Sequence, residues 1–122
     1  MRVSAGVDIV SVPRMREALA RFGDRLTGRL FTLGERRYCS SRPDPALHYA
    51  ARFAAKEAVR KAVGHTMAWR DVEVVRLADG KPVVELPGTN LSLSLAHDGD
   101  YAVAFCIASE GGGGAGGGEG DI

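Results

Sequence analysis

Cysteine is scarce: Cys39 and Cys106 are the only two in 122 residues, far apart and without metal-ligand spacing. No disulfide framework is indicated, and two reduced thiols suit an intracellular protein. Three isolated histidines with no Cys-x-x-Cys exclude an ordinary structural zinc site. Apolar runs of the roughly 20 residues that span a bilayer are also missing, so no membrane association is expected. Asp8 falls where a signal peptide would carry its apolar region, so the expected location is the cytoplasm. Aromatic residues make up only 7% and do not interleave with the basic ones, so nucleic acid is not an expected partner.

Hydrophobic residues (45%) and charged residues (25%) fit one globular domain with a modest core. Eight of the sixteen glycines lie in residues 111–120, with no helix to follow them as a phosphate-binding loop requires. We therefore expect a domain over residues 1–109 and a flexible tail over 110–122. The net charge of +1 hides an asymmetry. Residues 1–64 carry 13 Lys+Arg against 6 Asp+Glu, a balance of +7. That half suits an anionic partner or ligand, or else a solvated arginine surface.

The pattern predicts helices early and strands late. Val3–Val10 reads as a strand. Ser11 caps a helix to about Phe22, with Pro13 in its first turn and Gly23 as its stop. Thr32 and Glu35 have capping-box spacing for a short helix to about Cys39. Asp44-Pro45 opens a long helix that Gly64 closes, about 28 Å of it at 1.5 Å per residue. Val72–Leu77 and Pro82–Leu86 flank an Asp79-Gly80 hairpin turn. Leu91, Leu93 and Leu95 alternate with Ser92 and Ser94. In the last strand, Ala102, Ala104 and Cys106 form a face small enough for a helix to pack closely. The expected class is α+β: a long central helix packed on a mostly antiparallel sheet that the first strand joins.

Helical spacing puts Phe53, Glu57 and Lys61 on one stripe. If the first strand packs beside that helix, Asp8 meets Glu57. Two carboxylates and a lysine then suit a hard divalent cation carrying a phosphate ester, with Mg²⁺ the natural choice. Arg52, Lys56 and Arg60 lie nearby on the helix as further phosphate contacts. Spacing alone leaves other readings open. Asp8 can cap the following helix, Glu57 and Lys61 can form a surface ion pair, and Arg52, Lys56 and above all Arg60 can be solvated cations. His97 is a lone histidine before a tight turn, and no nucleophile elbow surrounds either serine.

Several segments in order resemble the holo-[acyl-carrier-protein] synthase group of 4′-phosphopantetheinyl transferases. They are Gly6-Val7-Asp8-Ile9-Val10 followed by Arg14, Arg52 through Ala62, Trp69 through Val74, Gly80-Lys81-Pro82, and Ser94-Leu95-Ala96-His97-Asp98 leading to Tyr101. The resemblance covers residues 3–108. It implies the transferase fold and transfer of the phosphopantetheine arm of coenzyme A to a serine of an acyl carrier protein or domain. Such carriers serve fatty-acid, polyketide or peptide synthesis, and the by-product is adenosine 3′,5′-bisphosphate. It further implies that Asp8 and Glu57 bind Mg²⁺ and that Lys61 contacts the phosphate under attack. Arg52, Lys56, Lys61, Gly64, Lys81, Ser94 and His97 would hold coenzyme A, and Arg14 would meet the carrier protein.

Two departures stand out. The family usually places a helix between its Gly-Lys-Pro strand and its Ser-x-Ser-His strand. Here only Pro87-Gly88-Thr89-Asn90 separate Leu86 from Leu91, which predicts a tight hairpin. Ala96 replaces the second serine. The missing helix bears first on the homotrimer that the resemblance implies. Two rival readings follow: a non-catalytic descendant that binds carrier protein or coenzyme A, and a metal-dependent nuclease built on the same carboxylates.

Overall fold

The computed structural model describes residues 2–110; the glycine-rich segment 111–122 lies outside the described residues. The chain runs β1 (Val3–Ser11), α1 (Val12–Phe22), α2 (Asp24–Leu30), α3 (Leu33–Ser40) and α4 (Pro45–Val63). A 3₁₀ turn (Trp69–Asp71) follows, then β2 (Val75–Arg76), β3 (Pro82–Val83), β4 (Thr89–Asp98) and β5 (Tyr101–Glu110). Glu110, assigned to the tail from sequence, is the last residue of β5.

The main sheet has the order β1-β5-β4, antiparallel throughout, with Gly6 opposite Cys106 and Leu93 opposite Cys106 on the other side. α4 lies across it. The small face of β5 (Ala102, Ala104, Cys106, Ala108) is fully or almost fully buried, as are Ala54, Ala55, Ala58 and Ala62 of the helix. Alanine against alanine brings the two backbones together, and Gly6 carries this furthest. A Cβ on Gly6 would overlap the Ala58 carbonyl oxygen and sit 2.8 Å from the Ala62 nitrogen. Only glycine lets β1 pass this close to α4. Asp8, one strand period onward, is thereby carried to the helix.

The helix boundaries follow local chemistry. Ser11 accepts the Arg14 N–H and so caps α1, which disposes of the reading in which Asp8 does so. Thr32 and Glu35 form the complete capping box of α3. Gly64 ends α4 in the left-handed conformation (φ +87°), its N–H donating to the Arg60 carbonyl. Asp44 departs from expectation: it makes no cap hydrogen bond, and its carboxylate pairs with Arg16 instead.

Two features differ from the sequence pattern, and the absence of a helix before β4 agrees with it. α2 is a helix that was not anticipated, because Gly23 and Gly28 interrupt its short apolar pattern. The Asp-Gly hairpin is real but much shorter than expected. Its strands have two residues each and form a separate sheet. Leu86 and Thr89 pair across a turn at Pro87-Gly88, so no helix separates β3 from β4. No helix among the described residues is long and apolar enough to cross a membrane.

Candidate active site

β1 and α4 bring Asp8, Glu57 and Lys61 together. The Lys61 ammonium donates to Asp8 Oδ1 at 3.2 Å and to the Val7 carbonyl at 3.0 Å. Glu57, expected to pair with Lys61 if it were only a surface ion pair, turns instead toward Arg60, with Nη1 to Oε1 at 3.6 Å. Each carboxylate therefore faces one cation, and both line one cavity of about 420 Å³ between β1, α1, α2 and α4. Arg14 borders the same cavity beside Met15, Ala18, Leu26, Leu30 and Phe53.

The carboxylates suit a hard divalent ion. Asp8 and Glu57 are the only acids of this cavity, and no cluster of three or more His, Cys, Asp or Glu exists among the described residues. A cage made wholly of protein ligands is thus excluded there. Two carboxylates with room for water and phosphate oxygens match magnesium, which keeps much of its shell from solvent and substrate. On the far side of Glu57, a second, open hollow of about 350 Å³ is lined by Glu57, Arg60, Lys61, Gly64, His65 and Thr66.

Lys56 overturns its sequence assignment. Its ammonium is fully buried, 2.8 Å from Glu35 Oε1, and donates to the carbonyls of Trp69 (2.8 Å) and Val72 (2.5 Å). All three ammonium protons are spent, and none is left for a phosphate of coenzyme A. Glu35 completes the knot by accepting the Thr32 and Val74 N–H groups. Burial pushes the lysine below its ordinary pKa, with Glu35 opposing. This unit fastens α3 and the segment 69–74 to α4.

Arg52 is a buried cation of another kind. It is 3% exposed, lies over the Tyr38 ring at 4.1 Å, and its Nε has no hydrogen-bond partner. Arg42 and Arg76 approach the same ring at 5.5 and 5.8 Å, and His48 packs edge-on against it at 5.6 Å. Burial and then the three arginines hold His48 below its ordinary pKa. Arg42, Arg76 and His48 escaped the sequence reading because they come from three separate segments. Tyr38, the aromatic around which they gather, carries no distinctive spacing. Among the described residues none of the three guanidiniums has a carboxylate salt bridge, a grouping whose chemistry would suit a polyanion.

Lys81, Ser94 and His97 do not join the Asp8 cavity within one chain. Lys81 sits in the β2–β3 turn, with its backbone N–H held by Asp79. Ser94 is exposed on the outer sheet face opposite Phe105, away from α4. His97 is exposed near the end of β4. The cysteines are fully buried, the Cys39 thiol being pushed up to about 12 chiefly by burial, so neither is a nucleophile.

The model of the 4′-phosphopantetheinyl transferase superfamily matches residues 4–106. The chain belongs to that superfamily. It is 48% identical to the holo-[acyl-carrier-protein] synthase of Desulforudis audaxviator, over 88% of this chain and 93% of that protein. Against the synthase of Koribacter versatilis it is 41% identical, over 90% of this chain and all of the other. The synthase structure from Neisseria meningitidis superposes with a TM-score of 0.80 at 32% identity, covering 88% of this chain and 98% of that one. The Chronobacterium ammoniagenes synthase, solved as a coenzyme A complex, superposes with a TM-score of 0.78 at 30% identity, covering 90% and 98%. The transferase class and the α+β fold expected from sequence are both met.

Proposed function

We propose that the chain transfers the phosphopantetheine arm of coenzyme A to a serine of an acyl carrier protein in a Mg²⁺-dependent reaction, releasing adenosine 3′,5′-bisphosphate. The observation that carries this reading is the meeting of Asp8, Glu57 and Lys61 at one cavity bordered by the basic residue Arg14. Asp8 and Glu57 hold the ion, which when bound supplies Lewis-acid polarisation of the pyrophosphate. A new P–O bond forms to the serine oxygen as the bond inside the pyrophosphate breaks, and its electrons leave on the bisphosphate. The serine proton passes to a base, for which Glu57 at the cavity wall or a hydroxide from solvent would serve.

Lys61 exchanges its Asp8 contact for the phosphate oxygens and stabilises the charge that grows on them. Such preorganised donors lower the barrier without reorganising during reaction. Arg52, with Arg42 and Arg76, takes a more distant phosphate of coenzyme A, while Gly64, at the end of α4 beside Glu57 and Lys61, lets the backbone approach the pyrophosphate. Arg14, exposed on α1, meets the acidic carrier protein, which orients the serine for attack.

The outer sheet face supports a homotrimer. Val7, Ile9, Phe105, Ile107 and Tyr101 are 39–61% exposed there, an apolar surface that a second copy of the chain would cover. In that arrangement Ser94 on the same face, together with Lys81 and His97, serves coenzyme A at a neighbour's site. Two free thiols and the lack of a membrane-crossing helix among the described residues suit a cytoplasmic setting.

The test is the intact mass of an apo carrier protein after incubation with the chain, coenzyme A and Mg²⁺. A gain of one phosphopantetheine arm, abolished by EDTA and lowered about 10²–10³-fold in rate by Lys61→Met, is expected. No gain across several carriers, with coenzyme A still bound, would favour the non-catalytic reading.

A further inference from the structure

The sequence left Arg60 between a phosphate contact and a solvated cation. Its guanidinium lies 4.0 Å from the centroid of Trp69, the sole tryptophan, and its side chain is only 23% exposed. Yet it donates no hydrogen bond among the described residues, since the Glu57 carboxylate at 3.6 Å is beyond hydrogen-bond reach. A guanidinium held over an indole through its central carbon uses the ring face for a cation–π contact and leaves its N–H groups available to other partners. Arg60 belongs to the hollow that Glu57, Lys61 and Gly64 also line.

The platform beneath Arg60 is fixed. The buried Lys56 ammonium holds the Trp69 carbonyl, Glu35 holds Lys56, and Phe53 packs against the indole with centroids 5.2 Å apart. The tie runs through the main chain of residue 69, so it does not depend on the indole itself. A cation three-quarters covered, held on a rigid ring, with its fork of donors unspent, is an anion-binding group awaiting its anion.

We infer that Arg60, preorganised on Trp69, is a further binding residue for the pyrophosphate of coenzyme A. This rests on the transferase reading and adds a second cationic side chain at the pyrophosphate, beside Lys61 and apart from the three arginines around Tyr38. On binding, the guanidinium leaves Glu57 for the phosphate oxygens and so frees that carboxylate for the metal. Trp69 is a positioning residue that acts through Arg60.

Calorimetric titration of the full chain with coenzyme A, and separately with inorganic pyrophosphate, tests this in four proteins: wild type, Arg60→Gln, Trp69→Leu and the double variant. Arg60→Gln should weaken coenzyme A binding at least tenfold. Trp69→Leu should weaken it by a smaller factor, and adding Trp69→Leu to Arg60→Gln should cost almost nothing further. Circular dichroism of each variant checks the fold, and Arg60→Lys, which keeps the charge but loses the fork, should recover only part of the affinity. Binding within twofold of wild type in Arg60→Gln overturns the inference. Additive losses in the double variant overturn the role given to Trp69. Wild-type binding of pyrophosphate but not of coenzyme A, lost in Arg60→Gln, would sink the transferase reading and leave Arg60 an anion site. Wild-type binding of neither ligand overturns both.

Discussion

Lys56 and Arg60 stand one turn apart on the same helix, and the difference between them lies in what their donors already hold. Lys56 has spent all three protons on Glu35 and two main-chain carbonyls. Arg60 is largely covered as well but has spent none among the described residues. Arg52 follows Arg60: 3% exposed, with an orphan Nε over an aromatic ring. A cation whose hydrogen bonds close inside the protein is part of the scaffold. Arg52 carries desolvation at Nε with no compensating partner, while Arg60 keeps donors that water still reaches and only the Glu57 carboxylate at 3.6 Å, so each can still take an anion.

The sharpest way to break this comparison is to cut a closed cation. Lys56→Met leaves Glu35 buried without its countercharge and two carbonyls without donors. Losing one partner of a buried pair costs about 3–5 kcal/mol. For a chain of this size that lowers Tm by more than about 10 °C. Denaturant unfolding checks it, and the Glu35→Leu/Lys56→Met double variant should recover only part of the loss, since no charge remains stranded but the Thr32 and Val74 N–H groups and two carbonyls lose their partners. A single-variant cost below about 1 kcal/mol would mean that segment 69–74 is held by something else.

The next test reads an open cation through a neighbour. Burial and the guanidiniums of Arg42, Arg52 and Arg76 hold the His48 imidazole below its ordinary 6.5. The folded state therefore binds protons here less readily than the unfolded chain. Stability from this group is present above the unfolded value and is lost as pH falls below it. A phosphate of coenzyme A at these arginines should raise the His48 pKa, so binding takes up protons and tightens as pH falls. NMR titration of His48 with and without coenzyme A measures this, and an unchanged midpoint would remove the arginine cluster from the binding site. Arg52→Gln should also raise the free-state midpoint by deleting one of the three cations.

The sequence shows the local half of this logic and hides the tertiary half. Ser11, the Thr32–Glu35 box and Gly64 mark their helix ends by short-range chemistry, and all appear where expected. The alternation in β5 likewise foretells the small buried face that α4 needs. That Asp8 would reach the Glu57–Lys61 stripe was legible from helical spacing, but its contact with Lys61 and the Gly6 approach that allows it were not. Lys56 looked like its neighbours, a basic residue beside Glu57 on a helix. Its burial depends on Glu35, 21 positions earlier, and on carbonyls of a loop with no regular pattern. The clustering around Tyr38 is equally invisible along the chain, since α3, α4, β2 and the α3–α4 loop each contribute one or two members.

The smallest effect belongs to a cation that is neither covered nor free. Arg16 forms two hydrogen bonds to Asp44, at 3.0 and 3.1 Å, linking α1 to the start of α4, with side chains 55% and 48% exposed. Geometry this good would count for much in the interior, but water solvates both groups well before they meet. Exposed pairs contribute about 0.2–1 kcal/mol. Asp44 provides no cap to α4 besides, so Asp44→Ala removes nothing further from the helix end. The variant should lower Tm by no more than a few degrees, and the difference from wild type should shrink in 1 M salt, where the screening length falls to about 3 Å. A loss as large as that of Lys56→Met would break the comparison, for it would show that satisfied hydrogen bonds hold a cation in the scaffold even where water reaches them, whereas Lys56 is held by bonds that are both satisfied and buried.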